Sequence, residues 1–275
     1  MYELAFTKAN GTRNDFVVFT DAHAEVTLSD AQVAFLCDRR AGIGADGVLR
    51  AVKASELPEW DGPGDVWFMD YRNADGSVAE MCGNGLRVFV RYLLDEGLAV
   101  GDEVTVATRA GQRSGRPLAD GRIAVTMGQV RVGADDVDVH VGDRRWQGVP
   151  VDVGNPHVVS IVADGILDEL DLSVPPEVPE GRFPDGVNAE FVELTGPDAI
   201  RMRVHERGVG ETCSCGTGVV AAAVAAGGAS AGGAPVRVTT RGGELEVTVN
   251  DDGEAILTGP AVLVARGTIS LEGVA

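Results

Sequence analysis

Two cysteines combine a residue type and a setting that suit acid–base chemistry, because each precedes a helix-like segment through the same short motif. Cys82-Gly-Asn-Gly85 and Cys215-Gly-Thr-Gly218 lie 133 positions apart, close to half of the 275-residue chain. The first N–H groups of a helix lack intrahelical partners, and the helix dipole adds partial positive charge there. Both effects stabilise a thiolate. The spacing therefore predicts two reactive thiols, each supplied by one of two similar halves of the chain.

Paired thiols at matching positions suit a reaction that inverts a carbon centre. One thiolate removes the proton from an α-carbon, and the other thiol delivers a proton to the opposite face. The reverse reaction exchanges these roles, so two equivalent acid–base groups are needed. The glycines of both motifs let a substrate carboxylate approach backbone amides, which stabilise the developing charge. The pattern therefore predicts an epimerase or racemase.

These thiols require helices that hold them and strands that surround the helices. Apolar spacing predicts a helix over 86–98, stopped by Gly97, with Arg87 and Arg91 on its polar faces. An alanine-rich run predicts a helix over about 217–226 that is buried on every side. Shorter helices are expected at 30–37 and 166–170. Runs of β-branched and aromatic residues predict strands at 15–20, 47–52, 66–71, 104–108, 122–127, 147–153, 157–162, 188–194, 200–204, 235–240, 245–249, 255–258 and 261–265.

Composition restricts the partners and the compartment. The net charge of −19 repels phosphate backbones and anionic lipids, which argues against nucleic-acid and membrane partners. Four cysteines are too few for a disulfide scaffold, and the N-terminal residues contain no apolar stretch of signal-peptide length. The longest uncharged run, 213–236, is rich in alanine and glycine, so we expect a buried helix and a loop there instead of a membrane span. We therefore expect a reduced, cytoplasmic protein.

Ordered motifs along nearly the whole chain resemble those of the diaminopimelate epimerases. That family interconverts the LL and meso forms of 2,6-diaminopimelate, in lysine and peptidoglycan precursor biosynthesis, without a cofactor. The motifs that carry the resemblance are Asn10-Gly-Thr-Arg-Asn14-Asp-Phe, Arg40-Ala-Gly-Ile-Gly-Ala-Asp-Gly, Tyr71-Arg-Asn73-Ala-Asp-Gly-Ser, Met81-Cys82-Gly-Asn84-Gly, Gly154-Asn155-Pro-His157, Gly186-Val-Asn188, Glu206-Arg207-Gly-Val-Gly-Glu-Thr and Cys215-Gly-Thr-Gly.

The resemblance implies a role for individual residues. Cys82 and Cys215 would be the acid–base pair, and His157 and Glu206 would be auxiliary groups that tune the thiols. The reacting carboxylate would be held at the helix starts by Gly83, Asn84, Gly216 and Thr217. The remaining substrate-binding groups implied are Asn14, Asn73, Asn155, Asn188, Glu206 and Arg207. No metal ligand is implied.

The chemistry of these groups fits a dicarboxylate that also carries ammonium groups. A guanidinium suits bidentate capture of a carboxylate, so we expect Arg207 to hold the distal one. Asparagine amides can donate to a carboxylate or accept from an ammonium group. Two positions qualify the match. Cys213 is either a bystander or a competing oxidation partner, and Gly47 stands where some relatives carry a glutamine that contacts substrate.

The resemblance also implies an α+β fold of two pseudo-symmetric domains. Each domain would be a curved mixed or antiparallel sheet wrapped around a central helix, with the active site in the interdomain cleft. The N-terminal domain, which carries Cys82, would comprise 1–122 plus 265–275. The C-terminal domain, which carries Cys215, would comprise 123–264. Homodimerisation is left open, as is a Cys82–Cys215 disulfide in the empty site.

Two alternative functions remain open at this stage. A proline or hydroxyproline racemase would share the logic of two cysteines but would need no grip on a distal carboxylate. A non-catalytic amino-acid-binding relative would share the scaffold, but it would have no need to retain both cysteines.

Two local patterns also have competing interpretations. Gly42-x-Gly44-x-x-Gly47 matches a dinucleotide-binding pattern, but a strand-like segment follows it, so we interpret it as a turn. Cys213-x-Cys215 with His205 is reminiscent of a zinc site, but the chain has no C-x₂-C pair and the glycines favour a helix-end thiol. Cys37 has no motif and is expected to be a buried apolar thiol.

Overall fold

The computed structural model of the chain describes residues 3–229 and 232–274. Residues 1, 2 and 275 of the predicted N-terminal domain, and residues 230 and 231 of the alanine- and glycine-rich run, lie outside the described residues. The chain divides into two compact units. The first unit runs up to Val125 and resumes at Gly259, and the second spans Thr126–Thr258. The domain limits drawn from the sequence stay a prediction.

Strands dominate both units. The helices are α1 (Asp30–Cys37), α2 (Gly83–Asp95), α3 (Ile166–Glu169) and α4 (Gly216–Ala225), with a 3₁₀ turn at Ala54–Glu56. The strands are β1 (Glu3–Gly11), β2 (Asn14–Thr20), β3 (Gly47–Lys53), β4 (Trp67–Asn73), β5 (Val104–Thr108), β6 (Gly111–Pro117), β7 (Ile123–Gln129), β8 (Arg131–Val132), β9 (Val137–Val141), β10 (Arg144–Asp152), β11 (Pro156–Ile161), β12 (Asn188–Gly196), β13 (Ala199–Glu206), β14 (Gly210–Thr212), β15 (Val236–Thr240), β16 (Gly243–Val249), β17 (Glu254–Gly259) and β18 (Val262–Ser270).

The strand pairings of the two units follow the same pattern. In the first unit β18, β1, β2, β3, β4, β5, β6 and β7 pair in that order, and only β2–β3 and β4–β5 are parallel. In the second unit β9, β10, β11, β12, β13, β15, β16 and β17 pair in that order, and only β11–β12 and β13–β15 are parallel. The predicted α+β fold of two similar units is therefore confirmed.

Each unit places its cysteine-bearing helix against its own sheet. Helix α2 packs on β1, β2, β3, β6 and β18, and helix α4 packs on β10, β11, β12, β13, β15 and β16. Residues Gly216–Ala223 of α4 are all buried, as the apolar run predicted, because a helix that is apolar all round must be enclosed. None of the helices within 3–229 and 232–274 has the length and apolar character that a membrane crossing needs.

The element boundaries differ from the predictions where apolar periodicity is weak. Helix α1 spans the predicted residues, because Ser29 and Gln32 form a capping box at its start. Helix α2 begins at Gly83 instead of Leu86, because Cys82 caps it, and Gly97 with φ of +66° follows its end. Strands β1, β6, β8, β9 and β14 were not predicted. Strand β6 has the sequence GQRSGRP, which carries no alternating apolar pattern.

Because α2 packs against five strands of its sheet, truncating a buried side chain of this helix should lower the free energy of unfolding substantially. Phe89 is fully buried, so Phe89→Ala should lower the apparent free energy of unfolding in urea by about 3–5 kcal/mol. Val100 is 86% exposed, so the control Val100→Ala should change it by less than about 0.5 kcal/mol. Similar losses in both variants would contradict the packing described for α2.

Candidate active site

Cys82 caps helix α2, as its motif predicted. Its backbone is extended, with φ −139° and ψ 118°, and its sulfur accepts a hydrogen bond from the backbone N–H of Gly85 at 3.3 Å. Its thiol also donates to Oδ1 of Asn14 at 3.5 Å. The side chain of Asn84, in the first turn of the helix, donates to the same Asn14 oxygen at 3.4 Å. We call the surroundings of Cys82 and of Cys215 the two half-sites. The first half-site joins a thiol, a helix N-terminus and two predicted substrate-binding amides.

A strained turn presents Asn14 to this helix. Thr12 and Arg13 connect β1 to β2, and both have positive φ, at 52° and 62°. Residues with side chains rarely occupy this region, and such strain clusters at functional sites. The hydroxyl of Thr12 donates to Oδ1 of Asn84 at 3.3 Å, which ties the turn to the start of α2.

A buried guanidinium lies beneath the same helix start. Arg87 is fully buried, so the expectation that it lies on a polar face is wrong. It donates to Oδ1 of Asn84 at 2.9 Å, to the carbonyl of Gly83 at 3.3 Å and to the carbonyl of Pro260 at 3.4 Å. Burial lowers the pKa of Arg87 to about 10, while the nearby Cys82 raises it. Arg87 is thus a buried cation that fixes Asn84.

An ionic cluster braces the other side of Asn14. Its amide donates to Oδ2 of Asp46 at 2.9 Å, and Arg39 bridges Asp46 and Asp15, with 2.7 Å contacts to each. Burial opposes ionisation of Asp15, but hydrogen bonds from Arg39 and Lys8 outweigh it and lower the pKa of Asp15 to about 2. Asp46 thus holds Asn14, and the low pKa of Asp15 keeps this carboxylate charged across the neutral range, where it contacts Arg39 and Lys8.

Two further positions singled out in the first unit, Asn73 and Gly47, contact residues of their own strand pair and turn. Asn73 ends β4 and donates to the hydroxyl of Ser77 at 3.0 Å. A Cβ at Gly47 would lie 2.6 Å from Cε2 of Tyr71 and 2.6 Å from the carbonyl of Arg72, so the site has no room for the glutamine of some relatives. The glycine-rich segment that ends at Gly47 runs into strand β3, which fits the turn interpretation.

Cys215 repeats the capping arrangement in helix α4, but in a more enclosed setting. Its sulfur accepts from the N–H of Gly218 at 3.4 Å and lies 3.4 Å from the hydroxyl of Thr217. Cys215 as a whole is only 7% exposed. Burial raises the pKa of the Cys215 thiol well above its usual value, and the negative charges of Glu206 and Glu190 raise it further.

A buried imidazole and two carboxylates accompany Cys215. Nδ1 of His157 lies 2.7 Å from Oε1 of Glu190, and Nε2 lies 3.0 Å from Oδ1 of Asn155. Glu206, at the end of β13, receives hydrogen bonds from Thr212 and from the Cys215 thiol. Burial raises the pKa of Glu206, and the charge of Glu190 adds to the shift.

Asn188 and Arg207 lie side by side in the second unit. Oδ1 of Asn188 accepts the backbone N–H of Arg207 at 3.0 Å, and its amide donates to the carbonyl of Pro156 at 3.1 Å. Arg207 is exposed and donates to the carbonyl of Asp185 at 2.9 Å. A Cβ at Gly186 would lie 2.9 Å from Cδ of Arg207, so the glycine of the Gly-Val-Asn motif makes room for this side chain.

The strand registers of the two units show which residues occupy corresponding positions around the two thiols. Phe16 pairs with Gly47 in the parallel pair β2–β3, and His157 pairs with Asn188 in the parallel pair β11–β12. The positions that correspond are Asn14 and Asn155, Phe16 and His157, Gly47 and Asn188, Leu49 and Glu190, Asn73 and Glu206, and Cys82 and Cys215. At two of these buried strand positions the scaffold therefore carries the apolar Phe16 and Leu49 in the first unit and the titratable His157 and Glu190 in the second.

Cys37, Cys213 and His205 take no part in the two helix caps. Cys213 is exposed and Cys37 is buried, and none of the four cysteines, each among the described residues, forms a disulfide. Burial raises the pKa of Cys37 to about 12, which fits the apolar thiol that was predicted. Nδ1 of His205 lies 2.9 Å from the carbonyl of Leu172, a structural contact.

Sequence reasoning missed Arg87, Asp46 and Glu190. Asp46 lies within the quoted Arg40-to-Gly47 motif, so its place there was an available signal. Glu190 follows Asn188 by two residues, which places both side chains on one face of β12. Arg87 sits among apolar helix positions, where only tertiary packing reveals burial.

Replacing the third residue of each helix, Gly85 in α2 and Gly218 in α4, by alanine should change the stability of the protein in opposite directions. A Cβ at Gly218 would lie 2.5 Å from Oε1 of Glu190, so Gly218→Ala should destabilise the protein by about 1–3 kcal/mol through overpacking. A Cβ at Gly85 would lie 3.4 Å from Cζ of Phe16, an ordinary contact. Gly85→Ala should therefore be neutral or stabilising by up to about 1 kcal/mol, because alanine favours helices. Urea unfolding measures both, and equal losses would contradict the difference between the half-sites.

The chain matches the diaminopimelate epimerase family over residues 6–133 and 149–264. Diaminopimelate epimerase of Streptomyces coelicolor is 49% identical over 98% of both chains, and that of Rhodococcus erythropolis is 48% identical over 98% of this chain and 97% of the relative.

Among solved structures, a phenazine biosynthesis protein of the PhzF family from Bacillus anthracis superposes with a TM-score of 0.70 at 15% identity, over 98% of this chain and 100% of its own. A probable proline racemase from Agrobacterium radiobacter gives 0.69 at 18% identity, over 98% and 93%. These two likenesses concern the fold alone. The family match and the curated relatives establish that the chain belongs to the diaminopimelate epimerase family.

Proposed function

We propose that this chain interconverts LL- and meso-2,6-diaminopimelate by a two-base thiol mechanism, a step toward lysine and peptidoglycan precursors. The observation that carries the proposal is the repeated helix start, in which Cys82 and Cys215 cap buried helices at matching positions of two similar units. Family membership and a relative of that activity at 49% identity support the choice of substrate.

In this mechanism the reacting carboxylate binds at the starts of α2 and α4. First-turn backbone N–H groups at Gly83, Asn84, Gly216 and Thr217 donate to it, and the helix dipoles favour its charge. A thiolate removes the α-proton, and a thiol on the opposite face delivers a proton, with the roles exchanged in the reverse direction. The charge that leaves the C–H bond spreads into the carboxylate, where the fixed amides stabilise it. This chemistry draws on side chains and backbone alone, without a cofactor or a metal.

The auxiliary groups of the second unit govern the Cys215 proton. Glu206 accepts a hydrogen bond from this thiol, and burial raises the pKa of its carboxyl. His157 reaches both Glu190 and Asn155 through its ring nitrogens. In the proposal both groups tune proton transfer at this sulfur, Glu206 through its direct hydrogen bond and His157 through the carboxylates of Glu190 and Glu206.

Substrate recognition in the proposal uses groups at the two ends of diaminopimelate. Arg207 holds the distal carboxylate, because its guanidinium has N–H donors beyond the one that contacts Asp185. The binding set is completed by Asn14, Asn73, Asn155, Asn188 and Glu206. The predicted domains, 1–122 with 265–275 and 123–264, each supply one thiol and part of this set.

The proposed setting is the reducing cytoplasm, where both thiols stay available. The net charge of −19 disfavours nucleic-acid and membrane partners, so the proposed partner is the small-molecule substrate. A homodimer is compatible with this function, which requires only one chain per site.

Isotope exchange tests the chemistry directly. In heavy water the wild type should incorporate deuterium at the α-carbon of LL-diaminopimelate, measured by mass spectrometry. Cys82→Ala and Cys215→Ala should each slow this exchange by at least about 100-fold, because each removes one of the two acid–base groups. Cys213→Ala is the matched control and should keep the wild-type rate, since Cys213 is exposed and lies outside the proposed site. Diaminopimelate binding without exchange in the wild type, retained in Cys82→Ala, would instead identify a binding protein.

The distal-carboxylate role of Arg207 predicts a selective binding defect. Arg207→Met should raise KM for diaminopimelate by about 10-fold or more, because it removes a charged hydrogen bond, and should change kcat less. Steady-state kinetics measure both constants. Proline should not be turned over, because it has no distal carboxylate for Arg207. Turnover of proline, or an unchanged KM in Arg207→Met, would favour the racemase alternative.

A further inference from the structure

Glu190 is a buried carboxylate that the proposed mechanism does not use. It is fully buried, and Oε1 lies 2.7 Å from Nδ1 of the equally buried His157. Its other oxygen, Oε2, has no hydrogen-bond partner among the described residues. A buried carboxylate with one unsatisfied oxygen costs stability, so packing alone gives no reason for it.

The first unit shows that the scaffold does not need this pair. Phe16 and Leu49 occupy the positions that correspond to His157 and Glu190, and both are fully buried. Two apolar side chains therefore fill the same place in a strand arrangement of the same topology. The imidazole and the carboxylate belong to the Cys215 half-site specifically.

Glu190 lies against the start of α4. A Cβ placed on Gly218 would lie 2.5 Å from Oε1 of Glu190 and 3.2 Å from Cβ of Cys215, so the carboxylate and the cysteine flank the same point. At the start of α2, Gly85 meets Cys82 and the apolar ring of Phe16 instead.

The titratable groups of the Cys215 half-site come from three neighbouring strands. Glu190 lies on β12, Glu206 on β13 and His157 on β11. After burial, the two carboxylates are the largest causes of the raised pKa of Cys215. In the first unit, Cys82 is electrostatically coupled to the guanidinium of Arg87, which has the opposite sign.

We propose that Glu190 is a positioning residue of the Cys215 half-site, where it fixes the His157 ring through Nδ1 and, by its negative charge, holds the proton on the Cys215 sulfur. The two half-sites thus differ in charge although their backbones repeat. This inference rests on the proposed function, because a two-base reaction needs one thiol protonated and the other ionised.

The test measures the pH dependence of each thiol in the full-length protein. Glu190→Gln keeps the size of the side chain and an acceptor for His157, and removes the charge. Alkylation by iodoacetamide across pH, with the Cys215 and Cys82 peptides quantified by mass spectrometry, reports the thiolate of each cysteine. We expect the Cys215 midpoint to fall by about one pH unit, because a nearby like charge is lost, and the Cys82 midpoint to stay unchanged.

Glu193→Gln is the matched control on the same strand. Glu193 is also buried, but its carboxylate accepts from the backbone of Leu167 and pairs with Arg201, away from the thiol. This variant also loses a buried negative charge from β12, so a general structural effect would appear in both variants. The proposal is overturned if Glu190→Gln leaves the Cys215 midpoint in place, or if Glu193→Gln moves it equally.

A second variant keeps the proposal testable should Glu190→Gln fail to fold. The double variant His157→Phe with Glu190→Leu copies the residues that already fill the first unit. Its Cys215 midpoint must also fall, and an unchanged midpoint would overturn the proposal.

Failure of this inference is distinguishable from failure of the proposed function. Alkylation reports the thiol whether or not diaminopimelate is turned over, whereas absent deuterium incorporation by the wild type would refute the function alone. If the function holds, the pH profile of deuterium exchange in Glu190→Gln should move to lower pH on the limb that reports Cys215, with little change in KM. A purely structural role would lower stability without moving that limb.

Discussion

The hydrogen bond from the third helical N–H to a cysteine sulfur is the interaction on which both half-sites depend. In each unit it joins a thiol to the start of a buried helix, through Gly85 to Cys82 and through Gly218 to Cys215. The sulfur takes the place that serine, aspartate or asparagine usually fills at such a cap. Because strands surround each helix, the cap is held in a fixed relation to the neighbouring strand ends. The surrounding sheets therefore fix the positions of the two cysteine side chains.

The repeat conserves backbone topology and changes the chemistry around each thiol. The first unit places a buried arginine and the apolar Phe16 near its cysteine. The second unit places His157, Glu190 and Glu206 near its own. A two-base reaction, in which one group removes a proton and the other delivers a different one to the opposite face, gains from this difference, since the two groups must begin in opposite protonation states. The shared topology gives both units the same geometry, and different residues at buried positions give them different charges.

Much of the fold could be predicted, and the failures have physical causes. Helix α2 was predicted because its apolar residues recur at helical spacing, and α4 because its alanine-rich run is apolar on every side. The first turn of α2 was missed because Gly83, Asn84 and Gly85 carry no periodic signal. Strand β6 was missed because pairing with its neighbours, and not its own composition, makes it a strand. The burial of Arg87 was mispredicted because a charged residue in a helix pattern ordinarily faces water.

By itself the sequence predicted two helix-start cysteines and a class of chemistry for them, because such cysteines and their flanking glycines act through local backbone geometry. It also determined the α+β organisation, because strand and helix periodicities are local patterns. The tertiary structure alone decided which side chains surround each thiol. Glu190 reaches His157 across a parallel strand pair, and Arg87 reaches the carbonyl of Pro260 from the far end of the chain. Contacts of this kind join distant residues, and the energy of a charge depends on the burial that those contacts create.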